Sequence, residues 1–157
     1  MGWRSNDDDI SITLDSIVAH TGAHSLRIEQ TDSSGRGRFS QLLDARDVPT
    51  DRIRVSAWVK TDESAASLRI RVDGGGSLLY INRSRAQGGP DSRDWQRIVI
   101  DAPLAPNAER IRFGGELDGR GTAWFDDFSV EAVSTSELPA PSAVATRYVR
   151  QALGLID

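Results

Sequence analysis

The stretch Ile53-Arg54-Val55-Ser56-Ala57-Trp58-Val59-Lys60 alternates apolar and polar residues without a break. Side chains on a strand point to opposite faces at every step, so this pattern predicts a strand with one buried face. The same period recurs on both sides. Ile10-Ile12-Leu14 alternates with Ser11-Thr13-Asp15, Ser25 to Glu29 reads alike, and Phe39 to Leu43 follows. Downstream come Leu68-Ile70-Val72 against Arg69-Arg71-Asp73, then Leu78 to Asn82, Trp95 to Ile100, Ile111-Phe113 and Thr122 to Val133. About nine strands are predicted, separated by Thr21-Gly22, Asp73 to Gly76, Gly88-Gly89-Pro90-Asp91 and Asp118 to Gly121, which carry turn residues. Many short strands with no helical pattern between them indicate a sandwich or barrel, not a βαβ fold.

The tail breaks the pattern. Residues 134–142 are rich in Ser, Pro and Ala and read as a linker. Val144, Tyr148, Val149, Ala152, Leu153 and Ile156 then fall near helical spacing, with Ser142 as a candidate N-cap. The expected organisation is a β-domain over 1–133, a linker over 134–142 and a helix over 143–157. That helix either packs back on the sandwich or opens a following domain.

Composition narrows the function classes. A chain of 157 residues that is 38% hydrophobic and 27% charged can bury a real core. No apolar run approaches the roughly 20 residues of a membrane-spanning helix, so no membrane partner is expected. The first nine residues hold no apolar stretch resembling a leader. A secreted or periplasmic location is expected if a leader has been removed, and a cytoplasmic one otherwise. The absence of cysteine excludes disulfides, thiolate metal sites and cysteine nucleophiles. A net charge of −4 argues against nucleic acid, whose phosphates call for a basic surface. Among 19 Lys and Arg residues Lys60 alone is lysine, so the cationic chemistry of this chain is that of the planar guanidinium fork.

Catalytic patterns are missing. There is no Gly-x-Ser-x-Gly elbow, and His20 and His24 flank the turn Thr21-Gly22 instead of lying on a His-Glu-x-x-His helix. Gly74 to Gly76 joins two strands and precedes no helix, unlike a phosphate-binding loop. No enzymatic activity is expected.

The stretch Trp124-Phe125-Asp126-Asp127-Phe128-Ser129-Val130 holds the most chemistry. If Phe128 and Val130 face the core, strict alternation turns Trp124 and Asp126 inward too. An inward carboxylate must be paired, hydrogen-bonded or metal-bound, because burying it alone costs several kcal/mol. It either caps turn amides, pairs with an arginine, or binds calcium together with carbonyls of the turn His20 to Ser25.

These residues resemble a family. Asp15-x-x-x-Ala19-His20-Thr21-Gly22-x-x-Ser25-Leu26-Arg27-Ile28 is similar to an early strand of galactose-binding-like jelly rolls, which include carbohydrate-binding modules. Ser56 to Thr61, Asp94 to Arg97, Gly121 to Trp124 and the Phe125-Asp126-Asp127-Phe128-x-Val130 ending match in the same order. The likeness looks closest to the N-terminal sandwich domains that precede tail-specific-type serine peptidases and related bacterial hydrolases. It implies an all-β jelly-roll sandwich with a short C-terminal helix. It also implies one structural Ca2+, held by Asp126 with His20, Gly22 and Ser25. The early acidic residue of that site follows a Gly-aromatic pair in those families; here Gly2-Trp3 is followed by Arg4.

With Val55, Ala57, Val59, Ile70, Val72, Ile98, Ile100, Ile111 and Phe113 assigned to the core, alternation puts Arg54, Ser56, Trp58, Lys60, Arg69, Arg71, Asp73, Arg97 and Arg112 on outer faces. Sugar rings stack on aromatic side chains while polar groups bond their hydroxyls. The expected ligand residues are therefore Trp58, Arg69, Arg71 and Arg112, with Tyr80 as a further contact or a core residue. Trp58 beside arginines suits an acidic sugar or a carboxylate-bearing peptide. The leading expectation is a non-catalytic carbohydrate-binding-like accessory module of a larger bacterial hydrolase, its partner a saccharide or a neighbouring catalytic domain. The alternative is a structural domain N-terminal to a serine peptidase, with no small-molecule ligand. A loop lying over Trp58 would favour the alternative.

Overall fold

The structure, a computed structural model, describes residues 3–5, 10–32, 35–86 and 94–134. The Gly88-to-Asp91 turn, nearly all of the linker and the helix expected over 143–157 lie outside the described residues. Each alternating segment forms a strand. In chain order these are β1 (Arg4–Ser5), β2 (Ile10–Asp15), β3 (Ser25–Gln30), β4 (Arg36–Asp44) and β5 (Arg52–Asp62). They continue as β6 (Ala65–Gly74), β7 (Ser77–Arg85), β8 (Gln96–Pro103), β9 (Arg110–Asp118) and β10 (Gly121–Val133). β1 is the addition that alternation did not predict, being too short to show a period.

The strands form two five-stranded sheets, ordered β1-β4-β9-β6-β7 and β2-β3-β10-β5-β8, with every pairing antiparallel. We call them the first and second sheet. Their inner faces make the core, as expected for a jelly-roll sandwich. Ile53, Val55, Ile70, Val72, Ile111 and Phe113 are all but inaccessible, and Ala57, Val59, Ile98 and Ile100 are buried with them. Each large apolar side chain withdrawn from water contributes about 1.5–3 kcal/mol.

One end of the core is aromatic. β1 follows Trp3, whose ring lies 4.6 Å from Phe128 and 5.0 Å from Phe39, and Phe39 meets Phe125 edge-on at 4.9 Å. Gly115 belongs there because a Cβ would come within 2.3 Å of the Phe39 ring and 2.6 Å of Phe125.

The decisive local feature is in β10. Its register against β5 shifts between Asp126 and Ser129, and Asp127 has a positive φ of 48°. This is a β-bulge, one extra residue that resets which side chains face inward. Ala123 and Phe125 point into the core before it, Phe128 and Val130 after it. The inward placement expected for Trp124 and Asp126 is therefore corrected. Both lie on the outer side, because the alternation counted back from Phe128 slips by one across the bulge.

Candidate functional site

Two outer faces compete for the role of a binding surface, and the sequence had mixed their residues. On the second sheet, β10 pairs Asp126 with Trp58 of β5, and the loop 16–24 between β2 and β3 folds over both. Three carboxylates hold that loop. Asp15 Oδ1 accepts the N–H groups of Ile17 and Val18 at 2.8 and 3.0 Å, while its Oδ2 accepts Trp124 Nε1 at 2.8 Å. The indole donor first, then the two amides, hold the Asp15 carboxyl below the usual carboxylate range. Asp126 Oδ2 accepts the N–H groups of His20 and Thr21 at 2.7 and 3.2 Å, and its Oδ1 accepts that of Asp127 at 2.7 Å. Asp127 in turn binds His20 Nδ1 at 2.8 Å and accepts the Thr21 hydroxyl.

This clamp decides what becomes of Trp58. The His20 ring stacks on it at 4.0 Å and 17°, and Trp95 meets His20 edge-on at 5.5 Å. The His20 ring thus covers a face of the Trp58 indole, and a loop over Trp58 is the arrangement expected of a structural domain with no ligand on this face.

The same geometry tests the expected calcium site. Gly22 takes the left-handed conformation, with φ of 65°, that lets the turn close. The closed turn presents N–H groups to Asp126, and the Val18 carbonyl accepts the Ser25 hydroxyl. Calcium requires oxygen ligands, six to eight of them. Amide hydrogens directed at both carboxylate oxygens do not fit that ion; they fit a carboxylate that caps turn amides. Asp126 thus meets His20 and Thr21 as part of a hydrogen-bonded loop clamp, while Ser25 bonds Val18 and Gly22 shapes the turn.

The first sheet is different. Arg69, Arg71 and Arg112 project from its outer face, across the sandwich from Trp58. The pairing register arranges that face in rows running β4-β9-β6-β7. One row reads Arg38, Glu116, Ser67, Arg85; the next reads Ser40, Gly114, Arg69, Arg83; the third reads Leu42, Arg112, Arg71, Ile81. Asp44, Arg110 and Asp73 lie beyond at one end, Arg36 and Asp118 at the other.

Gly114 leaves a hollow in the middle row, lined by Arg38, Ser40, Arg69 and Arg112. It is glycine because the β4 backbone runs close alongside: a Cβ would lie 2.0 Å from the Phe39 carbonyl oxygen. Beside the hollow, the Glu116 side chain is 2% exposed. It meets Arg38 Nε at 3.1 Å, Arg36 Nε at 3.2 Å and Arg83 at 2.7 Å, with Arg69 at 4.0 Å. Arg71 forks onto Asp73 at 2.7–2.9 Å, and Arg36 and Arg85 hold Asp118.

Tyr80 belongs to neither group. It pairs with the inward residue Val72, and its hydroxyl lies 3.1 Å from Asn82 Nδ2 and 3.5 Å from the Asp101 carbonyl oxygen at the margin between the sheets. The residues missed in the sequence are Arg38, Arg83 and Glu116. Their signal was present as outward positions in three strands, but only strand order shows that they meet.

No family model matches this chain. It is 30% identical over 146 residues to the uncharacterized HTH-type transcriptional regulator YbfP of Bacillus subtilis (strain 168), a match that covers 86% of this chain and 49% of that protein. The chain thus spans about half the length of its curated relative.

Among solved structures, it resembles the C-terminal family 22 carbohydrate-binding module of Clostridium thermocellum Xyn10B. The TM-score is 0.60 at 13% identity, covering 87% of this chain and 88% of that one. It is also similar to the CBM22-1 xylan-binding domain of Paenibacillus barcinonensis Xyn10C, with a TM-score of 0.60 at 17% identity over 85% and 87% of the two chains. A third likeness is to TmCBM61 in complex with β-1,4-galactotriose, with a TM-score of 0.58 at 20% identity over 83% and 88%. These likenesses establish the carbohydrate-binding-module type of β-sandwich as the fold.

Proposed function

We propose that this chain is a non-catalytic saccharide-binding module whose ligand face is the outer surface of the first sheet. The observation that carries the proposal is the contrast around Gly114 and Trp58. The hollow beside Arg69 and Arg112 is open, whereas the tryptophan on the other face lies beneath His20. The fold supports the reading, since modules built on this sandwich bind xylan and β-1,4-galactotriose.

The module would serve a larger protein by holding saccharide for a partner domain. A bacterial hydrolase is one such partner, expected from the resemblance to the sandwich domains that precede peptidases. The match to YbfP favours a second: the sensing part of a transcriptional regulator. A helix-turn-helix is helical, and among the described residues the only helix is the single turn Ala45–Asp47. The matched half would then be the part that does not read DNA.

Glycan-array screening of the chain, followed by titration with the best binder, tests the proposal. Ser40→Trp, which fills the hollow, is expected to abolish binding, while Trp58→Ala retains it. Failure to bind any saccharide would favour the structural-domain alternative.

A further inference from the structure

We propose that the hollow at Gly114 is a carboxylate subsite, so that the saccharide this module takes is a uronic-acid polymer. The inference rests on the saccharide-binding reading and specifies its ligand.

Charge is the first argument. Among the described side chains, the outer face of β4, β9, β6 and β7 carries eight arginines against four carboxylates, on a chain whose net charge is −4. The four carboxylates are already engaged: Glu116 and Asp118 by two or more arginines each, Asp73 by Arg71 and Asp44 by Arg46. What remains is a cationic surplus, and it gathers at the hollow. The Arg112 side chain makes no hydrogen bond or ion pair among the described residues and acts on Asp73 only through its charge, while Arg69 reaches an acid only at 4.0 Å.

Burial is the second argument. The Arg69 side chain is only 23% exposed. Its withdrawal from water, followed by the like charges of Arg38, Arg71 and Arg112, disfavours its charged form, against a single helping contribution from Glu116. Partly desolvated cations without enough anions are costly, and an incoming carboxylate relieves that cost. A flat carboxylate also matches the guanidinium fork, as Arg71 on Asp73 demonstrates in the neighbouring row.

The surroundings suit a sugar ring better than a free anion. Leu42 and Ile81, 44% and 48% exposed, stand at the two ends of the row that holds Arg112 and Arg71. They offer apolar contact for ring C–H groups on either side of a bound acid. A nucleic acid would meet the same charge, but no aromatic side chain projects from these rows for a base to stack on.

The experiment compares oligogalacturonate, oligomannuronate and a glucuronate-containing oligosaccharide by calorimetry, each beside its methyl-esterified form. Esterification keeps the ring and removes the charge. At least one acid is expected to bind about tenfold or more tightly than its ester, with affinity falling as salt rises. Arg112→Gln is expected to remove that difference, bringing the affinity for the acid down to that for its ester. Because Arg112 is exposed, this variant folds even if Arg69→Gln does not.

Equal affinity for acid and ester, or an Arg112→Gln variant that still discriminates, overturns the carboxylate subsite and leaves saccharide binding standing. So does binding of neutral glycans alone. Equal binding of inorganic polyphosphate overturns it too, as a cationic surface without selectivity. No binding to any glycan overturns both proposals.

Discussion

The two outer faces of this sandwich are built from the same kind of strand and end in opposite conditions. On the second sheet, three aspartates pull the loop 16–24 down until His20 covers Trp58. On the first sheet no described loop arrives, and arginines and acids are left to balance one another at the surface. An aromatic ring in an outward strand position is thus not a platform until its cover is known. The loop carries out its own recognition, with protein groups as the ligand.

The largest expected effect tests the clamp. Asp126→Ala leaves the N–H groups of His20 and Thr21 without their acceptor beneath a packed loop, at a cost of about 2–3 kcal/mol. Thermal unfolding should show it, together with a red shift in tryptophan emission as water reaches Trp58. An unchanged melting temperature would mean that the loop is held by stacking alone, and the two faces would differ less than they appear.

Glu116→Gln comes next, at about 2 kcal/mol. It removes the charge that several arginines share, but those arginines are 37–45% exposed where they bond it directly and can rehydrate. Denaturant titration measures this. A stabilised variant would show that the acid serves binding and not folding.

Acid sharpens the comparison further. Asp15 is held below its ordinary value, so its contribution is complete above the unfolded carboxyl pKa of about 3.9 and is lost as pH falls through the lowered native value. Wild type should therefore lose stability below about pH 4, and the gap in melting temperature to Asp15→Asn should close over that range. A gap constant with pH would remove Asp15 from the clamp. The smallest expected effect is none: excess calcium or a chelator should leave the melting temperature unchanged, since the clamp is satisfied by amides. A rise with calcium would restore the metal reading of Asp126.

Much of the fold was legible because burial on one side of a strand writes itself into the sequence with a period of two. Val55, Ala57, Val59, Ile70 and Val72 were assigned to the core and are buried. The reading failed where that period breaks. The bulge at Asp127 inserts a residue that no composition marks, and Trp124 changed sides with it. The site was less legible still. Arg69 and Arg71 were placed outward, but Trp58 and Tyr80 were grouped with them, because period two tells which side of a sheet a residue occupies and not which sheet. Arg38, Glu116 and Arg83 are brought together by pairing among strands far apart in the chain, and pairing is not a local property.

The bulge has one more consequence, for anyone who would move this loop to another scaffold. The His20 ring nitrogen and the Thr21 hydroxyl answer to Asp127, the residue that β10 gains at the bulge. Transplanting residues 16–24 into a host with a regular final strand would bring the donors without their acceptor. Deleting Asp127 would make the strand regular and leave Phe128 and Val130 facing inward, but it would take away the carboxylate that holds the His20 ring. Loop and strand irregularity form one heritable unit, to be copied together or left alone.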